Sequence, residues 1–174
     1  MLILKGKHIY LRALEPEDLE FLYELENNTA IWEISGTKTP YARHVLRTYL
    51  DNAFKDIYEV KQLRLGICNN ENRLLGLIDL FDFDPGHMRA GVGIVILESE
   101  DRNHGIGTEA LTLLLDYAFA TLNLHQVYAN VGKDNEGSLH LFTKLGFEQI
   151  GIKKDWIRRG KEFKDEVMLQ KINS

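Results

Sequence analysis

One cysteine, three prolines and no long apolar run set the first limits on this 174-residue chain. With Cys68 alone an intrachain disulfide is impossible, which fits a reducing, cytoplasmic setting, and a lone cysteine is by default a small buried apolar side chain. No stretch approaches the roughly 18 apolar residues of a membrane helix. Residues 1–15 carry charges throughout, where a signal peptide would have an apolar centre. Without a linker or low-complexity tract nothing divides the chain, so a single domain over residues 1–174 is expected. A basic run is missing too. Lys and Arg number 21 against 26 Asp and Glu, a net charge of −5, so neither nucleic acid nor an anionic membrane is expected as partner. The same balance suits a cationic small molecule. Six histidines (8, 44, 87, 104, 125 and 140) show no ligand spacing such as H-E-x-x-H, and no metal is expected.

What is present is a regular alternation of patterns. "HIYLRAL" (8–14) reads as a strand by its period of two. "EPEDLEFLYELENN" (15–28) has Pro16 and acids at a helix start, with Leu19, Leu22, Tyr23 and Leu25 at helical spacing. A second helix follows Pro40 through "YARHVLRTYLDNAF". Three strands near 59–68, 73–83 and 88–97 are separated by "NNEN" and "DPGH", both turn signals, and form an antiparallel meander. A helix from Gly105 to about Leu122 presents Ile106, Ala110, Leu113, Leu114 and Tyr117 on one face. "QVYANV" (126–131) is a strand, "NEGSLHLFTKLGF" (135–147) a helix closed by Gly146, and the end is two strands around "RRGK". The order β α α β β β α β α β β implies an α+β (mixed α/β) domain, with helices about one mixed, mostly antiparallel sheet.

The informative stretch is "EDRNHGIGTEALTLLLDYAF" (100–119), where glycines open a helix. A P-loop requires Gly-Lys followed by Ser or Thr, which is absent. "GIGTEA" fits the dinucleotide fingerprint, yet its strand ends eight residues early and "QVYAN" (126–130) lacks the acid expected about 20 residues on. The remaining pattern is Arg-x-x-Gly-x-Gly. Amides of such a turn, with the free N–H groups of the helix, present about half a positive charge to an anion, and glycine lets the backbone come close.

This loop, "RAGVGIVIL" (89–97) upstream and "DNEGSLHLFTKLGF" (134–147) downstream resemble three ordered motifs of the GCN5-related (GNAT) N-acetyltransferases. The opening "RALEPEDLEFLYELENN", the loop and the tail most resemble the branch with the spermidine and diamine acetyltransferases and the ribosomal-protein N-terminal acetyltransferases. The resemblance implies acetyl transfer from acetyl-CoA to an amine. It places the pantetheine arm on Ile94, Val95 and Ile96, the pyrophosphate on Arg102, Asn103, His104, Gly105, Ile106, Gly107 and Thr108, and a contact to the CoA arm on Asn135. Two departures stand out. The family's strand glutamate falls on Gly91, and its general-acid tyrosine on Phe142, which has no proton to give. Ser138, Thr143 or a water are the substitutes on offer, helped by a thiol that leaves tolerably with pKa about 8.5.

For the acceptor, "LIDLFDFDPGH" (77–87) supplies Asp79, Asp82 and Asp84. On a regular strand Asp82 and Asp84 share one face, and Asp79 shares the other with Phe81 and Phe83. Carboxylates beside aromatic faces suit a polyamine; solvated turn acids are the plainer reading. Glu33, beside Trp32 in the loop expected between the first two helices, is a further acceptor candidate, and Asp82, Glu33 and His87 are the candidate bases. A small polycationic amine is the first acceptor expected and a protein N-terminus the second. A non-catalytic CoA-binding sensor is the reading that Phe142 and Gly91 favour. No feature of the sequence argues for a particular oligomer.

Overall fold

The computed structural model describes residues 4–102 and 105–174. Its eight strands are β1 (Leu4–Lys5), β2 (Ile9–Ala13), β3 (Leu63–Asn69), β4 (Leu74–Asp84), β5 (Arg89–Ile96), β6 (Gln126–Gly132), β7 (Glu148–Arg159) and β8 (Glu162–Ile172). They form one sheet in the order β1-β2-β3-β4-β5-β6-β8-β7. Every neighbouring pair is antiparallel except β5 and β6. The helices are α1 (Leu19–Glu26), α2 (Thr29–Ser35), α3 (Arg43–Asp51), α4 (Ile57–Val60), α5 (Ile106–Ala120) and α6 (Glu136–Lys144).

Each sheet face has its own core. Against one face lie α5 and α6, which bury Ala110, Leu111, Leu114, Leu115, Ala118 and Phe142 on Ile78, Leu80, Val127, Ala129 and Leu169. The buried stripe of α5 is thus turned slightly from the expected one: Ile106, Leu113 and Tyr117 pack at its margin. Against the other face, Leu22 and Leu25 of α1, Ile31 of α2, and Leu46 and Leu50 of α3 cover Leu77, with Val95 packed alongside. Each such side chain taken fully from water contributes about 1.5–3 kcal/mol. Cys68 is fully buried in the sheet.

Two short helices were not expected from the pattern. Helix α2 starts where the Asn28 side-chain oxygen accepts from the Ala30 N–H and ends at Gly36, whose φ of 76° is left-handed. One-turn α4 is capped by Asp56, which accepts from the Glu59 N–H, so β3 begins at Leu63 and not at 59. Buried Asp18, at the foot of α1, takes both arms of Arg12 at 2.8 and 2.9 Å and the Glu15 N–H at 2.7 Å. Burial works to raise its carboxyl pKa, and these donors outweigh burial and hold it below the ordinary value.

The feature that positions a site is the β5–β6 pairing. It covers only Arg89–Gln126, Ala90–Val127 and Gly91–Tyr128. From Val92 to Ile96 the central strand pairs with β4 alone, and its other edge opens toward α6 and the hairpin of β7 and β8.

Candidate active site

Two clefts meet at that opening. The first, of about 520 Å³, is walled on one side by Ile94, Val95, Ile96, Arg102, Gly105, Gly107 and Thr108, and on the other by Asn135, Ser138, His140, Leu141 and Lys144. Gly105 stands at the N-terminus of α5 with φ 78°, a left-handed conformation that costs a side-chain-bearing residue about 1 kcal/mol or more. This turn aims the first free amides of a fifteen-residue helix into the cleft. Arg102 lines the cleft while its guanidinium donates to the Ile96 carbonyl (3.0 and 3.3 Å) and the Leu97 carbonyl (3.4 Å), which ties the loop to the end of β5. Asn135 caps α6, its side-chain oxygen accepting from the Ser138 N–H at 3.2 Å. Ile106 does not line this cleft and packs toward the core. Asn103 and His104 lie outside the described residues. The side chains of His140 and Lys144 were missed by sequence reasoning; their spacing of four on α6, opposite the glycine turn, is the signal that marks them.

The α5 N-terminus is fixed from behind. Glu109 takes the backbone N–H of His8 at 2.7 Å and of Ile9 at 3.3 Å, and the His8 ring approaches to 3.2 Å. Burial would raise the Glu109 pKa; the donors win and hold it below the ordinary value.

The second cleft, of about 650 Å³, lies on the sheet face under α1 and α2 and reaches to β8. At its floor Arg64 of β3 forks onto Asp79 of β4 with two bonds of 3.0 Å and reaches Glu26 of α1 at 3.4 Å. Asp79 pairs in register with Arg64 on one side and with Gly93 on the other, so this carboxylate stands beside a bare position of the central strand. Burial alone would lower the Arg64 pKa, but the Asp79 charge more than offsets it and holds the guanidinium above its usual range. At the rim Glu33 pairs with Lys164 and with Arg159 (3.5 Å), while Lys164 also holds Asp134 at 2.9 Å. Five acids line the cleft (Glu26, Glu33, Asp79, Asp134, Glu166) against three bases (Arg64, Arg159, Lys164), leaving it acidic.

Several expectations need correction here. Glu33 lies on α2, not in a loop. Phe83 does not share a face with Asp79. Between Phe81–Gly91 and Asp84–Arg89 the β4–β5 ladder carries a bulge, with Asp82 at φ 48°, and the extra residue turns Phe83 into the core beside Ile78 and Leu80. Asp82 and His87 are consequently exposed and Asp84 half-buried, and none of the three lines the cleft. Asp84 accepts from the His87 N–H at 3.0 Å, a turn contact. Asp82 is near enough to Tyr128 to join burial in raising that phenol's pKa.

The two departures in the motifs also have structural reasons. A Cβ on Gly91 would run into the Phe81 ring, which lies over it and meets Tyr128 edge-on at 6.0 Å. An aromatic platform therefore fills the place of a side chain at 91. Phe142 is buried, edge-on to Phe147 at 5.1 Å, with its exposed margin in the second cleft. Among the described residues no three His, Cys, Asp or Glu side chains converge as a metal site, and no helix is long and apolar enough to cross a membrane.

Comparison with known proteins agrees with this geometry. Residues 8–148 match the family described as Acetyltransferase (GNAT) domain. The spermidine N(1)-acetyltransferase of Escherichia coli (strain K12) is 34% identical over 144 residues, 82% of this chain and 74% of that protein. The Homo sapiens alpha/beta-tubulin-N-acetyltransferase 9 is 37% identical over 84 residues, 48% of this chain and 41% of its own. Among solved structures, spermidine N-acetyltransferase from Vibrio cholerae in complex with CoA and spermine superposes with a TM-score of 0.84 at 27% identity, covering 94% of this chain and 95% of that one. With this fold and this extent of similarity, the chain belongs to the GNAT family and is an N-acetyltransferase.

Proposed function

We propose that the protein moves acetyl from acetyl-CoA to a primary amine, and that a diamine or polyamine is its preferred acceptor. The observation that carries this reading is the junction of the two clefts: Ile94, Val95, Asn135 and Ser138 line both. A thioester entering from the glycine turn and an amine entering from the acidic side meet at that point. The free edge of β5 holds the pantetheine amides, and one of its N–H groups faces the thioester oxygen as charge develops there, an effect often worth about 3 kcal/mol. Arg102, Gly105, Gly107, Thr108 and Asn135 belong to the CoA side. On the acceptor side the excess negative charge lies with Glu26 and Asp79, which share one arginine, and the Phe81 ring beside Gly91 offers an aromatic face to an ammonium group. Glu33 is held by Lys164 and Arg159 and shapes the rim.

A primary amine with pKa about 10.4 must shed a proton before attack. With glycine at 91 that proton leaves through water in the open cleft. The spermidine acetyltransferases among the relatives support the polyamine; the tubulin acetyltransferase supports a protein acceptor, for which a protein N-terminus is the second reading. An amine panel with free-thiol detection separates them. Polyamines are expected to exceed N-terminal peptides by about tenfold or more in kcat/KM. Turnover of peptides alone selects the second reading, and CoA binding without turnover on any amine selects a non-catalytic sensor.

A further inference from the structure

We infer that Ser138 is the group that protonates the departing CoA sulfur, in place of the phenol missing at position 142; this rests on the acetyltransferase reading above. Four residues line both clefts, and two of them, Ile94 and Val95, carry no side-chain proton. Asn135 is engaged as the cap of α6 through its side-chain oxygen. Ser138 is the remaining one. It sits one helical turn before Phe142, so both project from the same face of α6, and Ser138, unlike Phe142, also lines the cleft walled by the glycine turn. Thr143, the other hydroxyl on this helix, is exposed and lines neither cleft.

The state of the hydroxyl agrees. Thr48 and Thr112 each bond back to the carbonyl four residues earlier in their helices, at 3.0 and 2.7 Å. Among the described residues the Ser138 hydroxyl forms no such bond, and only its backbone N–H is engaged. A half-buried hydroxyl at the mouth of both clefts is thus left for a ligand atom. It has one proton to give and lone pairs to receive another. As the C–S bond breaks and its electron pair stays on sulfur, Ser138 gives its proton to that sulfur. Through water it takes the proton released by the attacking nitrogen. The products are the amide and CoA thiol, and the hydroxyl is restored.

The test is steady-state kinetics beside CoA calorimetry. Ser138→Ala is expected to lower kcat about ten- to a hundredfold, near the lower end of what a general acid supplies because a thiol leaves readily. CoA Kd and amine KM stay within about twofold, as a residue acting only in the transition state requires. Ser138→Thr keeps the hydroxyl and is expected to retain kcat within about threefold. Adding Phe142→Tyr to Ser138→Ala is expected to recover at least about fivefold, an effect a purely structural serine does not produce. A Ser138→Ala enzyme with wild-type kcat overturns the assignment while leaving the acetyltransferase reading intact. Equal loss in the Ala and Thr variants also overturns it. A wild-type protein silent on every amine overturns the acetyltransferase reading itself, and the assignment with it.

Discussion

The smaller cleft is built from two nearly continuous stretches, residues 94–108 and 135–144, and three glycines, Gly105, Gly107 and Gly137, present bare backbone in its wall. The larger draws side chains from α1, α2, α6 and every strand from β3 to β8. A cleft made of backbone depends on glycines at fixed spacing, which sequence displays directly. A cleft made of dispersed side chains depends on which strands pair and in what register, which sequence displays only indirectly. The difference teaches where a family's common chemistry is kept and where its substrate choice is free to vary. The same contrast makes the two clefts separable by mutation.

The largest expected effect falls on the side-chain cleft. Arg64→Ala leaves Glu26 and Asp79 facing each other without their cation, and stability is expected to fall by about 3 kcal/mol in urea denaturation. If CoA affinity measured on the folded variant falls as well, the two clefts are not independent. Next comes the support beneath the glycine turn. Glu109→Gln is expected to cost about 1–2 kcal/mol near neutral pH. The native carboxyl pKa is lowered, so its contribution is fully present above the unfolded value of about 4.3 and lost as pH falls through the folded one. Denaturation curves of the two proteins therefore converge in acid; a constant gap down to low pH contradicts this.

Asp79→Asn sharpens the contrast from the acceptor side, with amine KM raised about tenfold and CoA affinity unchanged. Asp82→Ala, on the exposed bulge, is the control and is expected to change KM by less than about twofold. The smallest effect is Arg102→Ala. An exposed cation already bonded to two carbonyls is expected to contribute less than about 1 kcal/mol to CoA binding in calorimetry.

How much was legible in the sequence follows the same division. The glycine turn, strand β6 with the asparagine-capped helix α6 that follows it, and the terminal hairpin around Gly160 all carry local signals, and these elements stand where the patterns put them. Helix α2 was missed because Thr29 and Ile31 are weak helix formers, though Asn28 and Gly36 mark its two ends. In α4 the β-branched Val60 read as the start of a strand, and tertiary packing decided otherwise. The bulge at Asp82 defeated a strict alternation by one residue, which moved Phe83 to the other face. Arg64 lies 15 residues from Asp79 and 38 from Glu26, so nothing local announces the cluster they form.

The most direct test of the account is calorimetric titration of CoA into Gly107→Val beside the wild type. Gly107 lines the smaller cleft, and a Cβ there stands 3.2 Å from Leu141, a flexible side chain able to yield, so the fold is expected to survive. Added bulk at the turn then obstructs the pyrophosphate, and CoA affinity is expected to fall by about 1–3 kcal/mol, roughly one to two factors of ten. Unchanged affinity in a folded Gly107→Val protein contradicts the account, because the glycine turn would then be a bend in the chain and not the cradle of the cofactor.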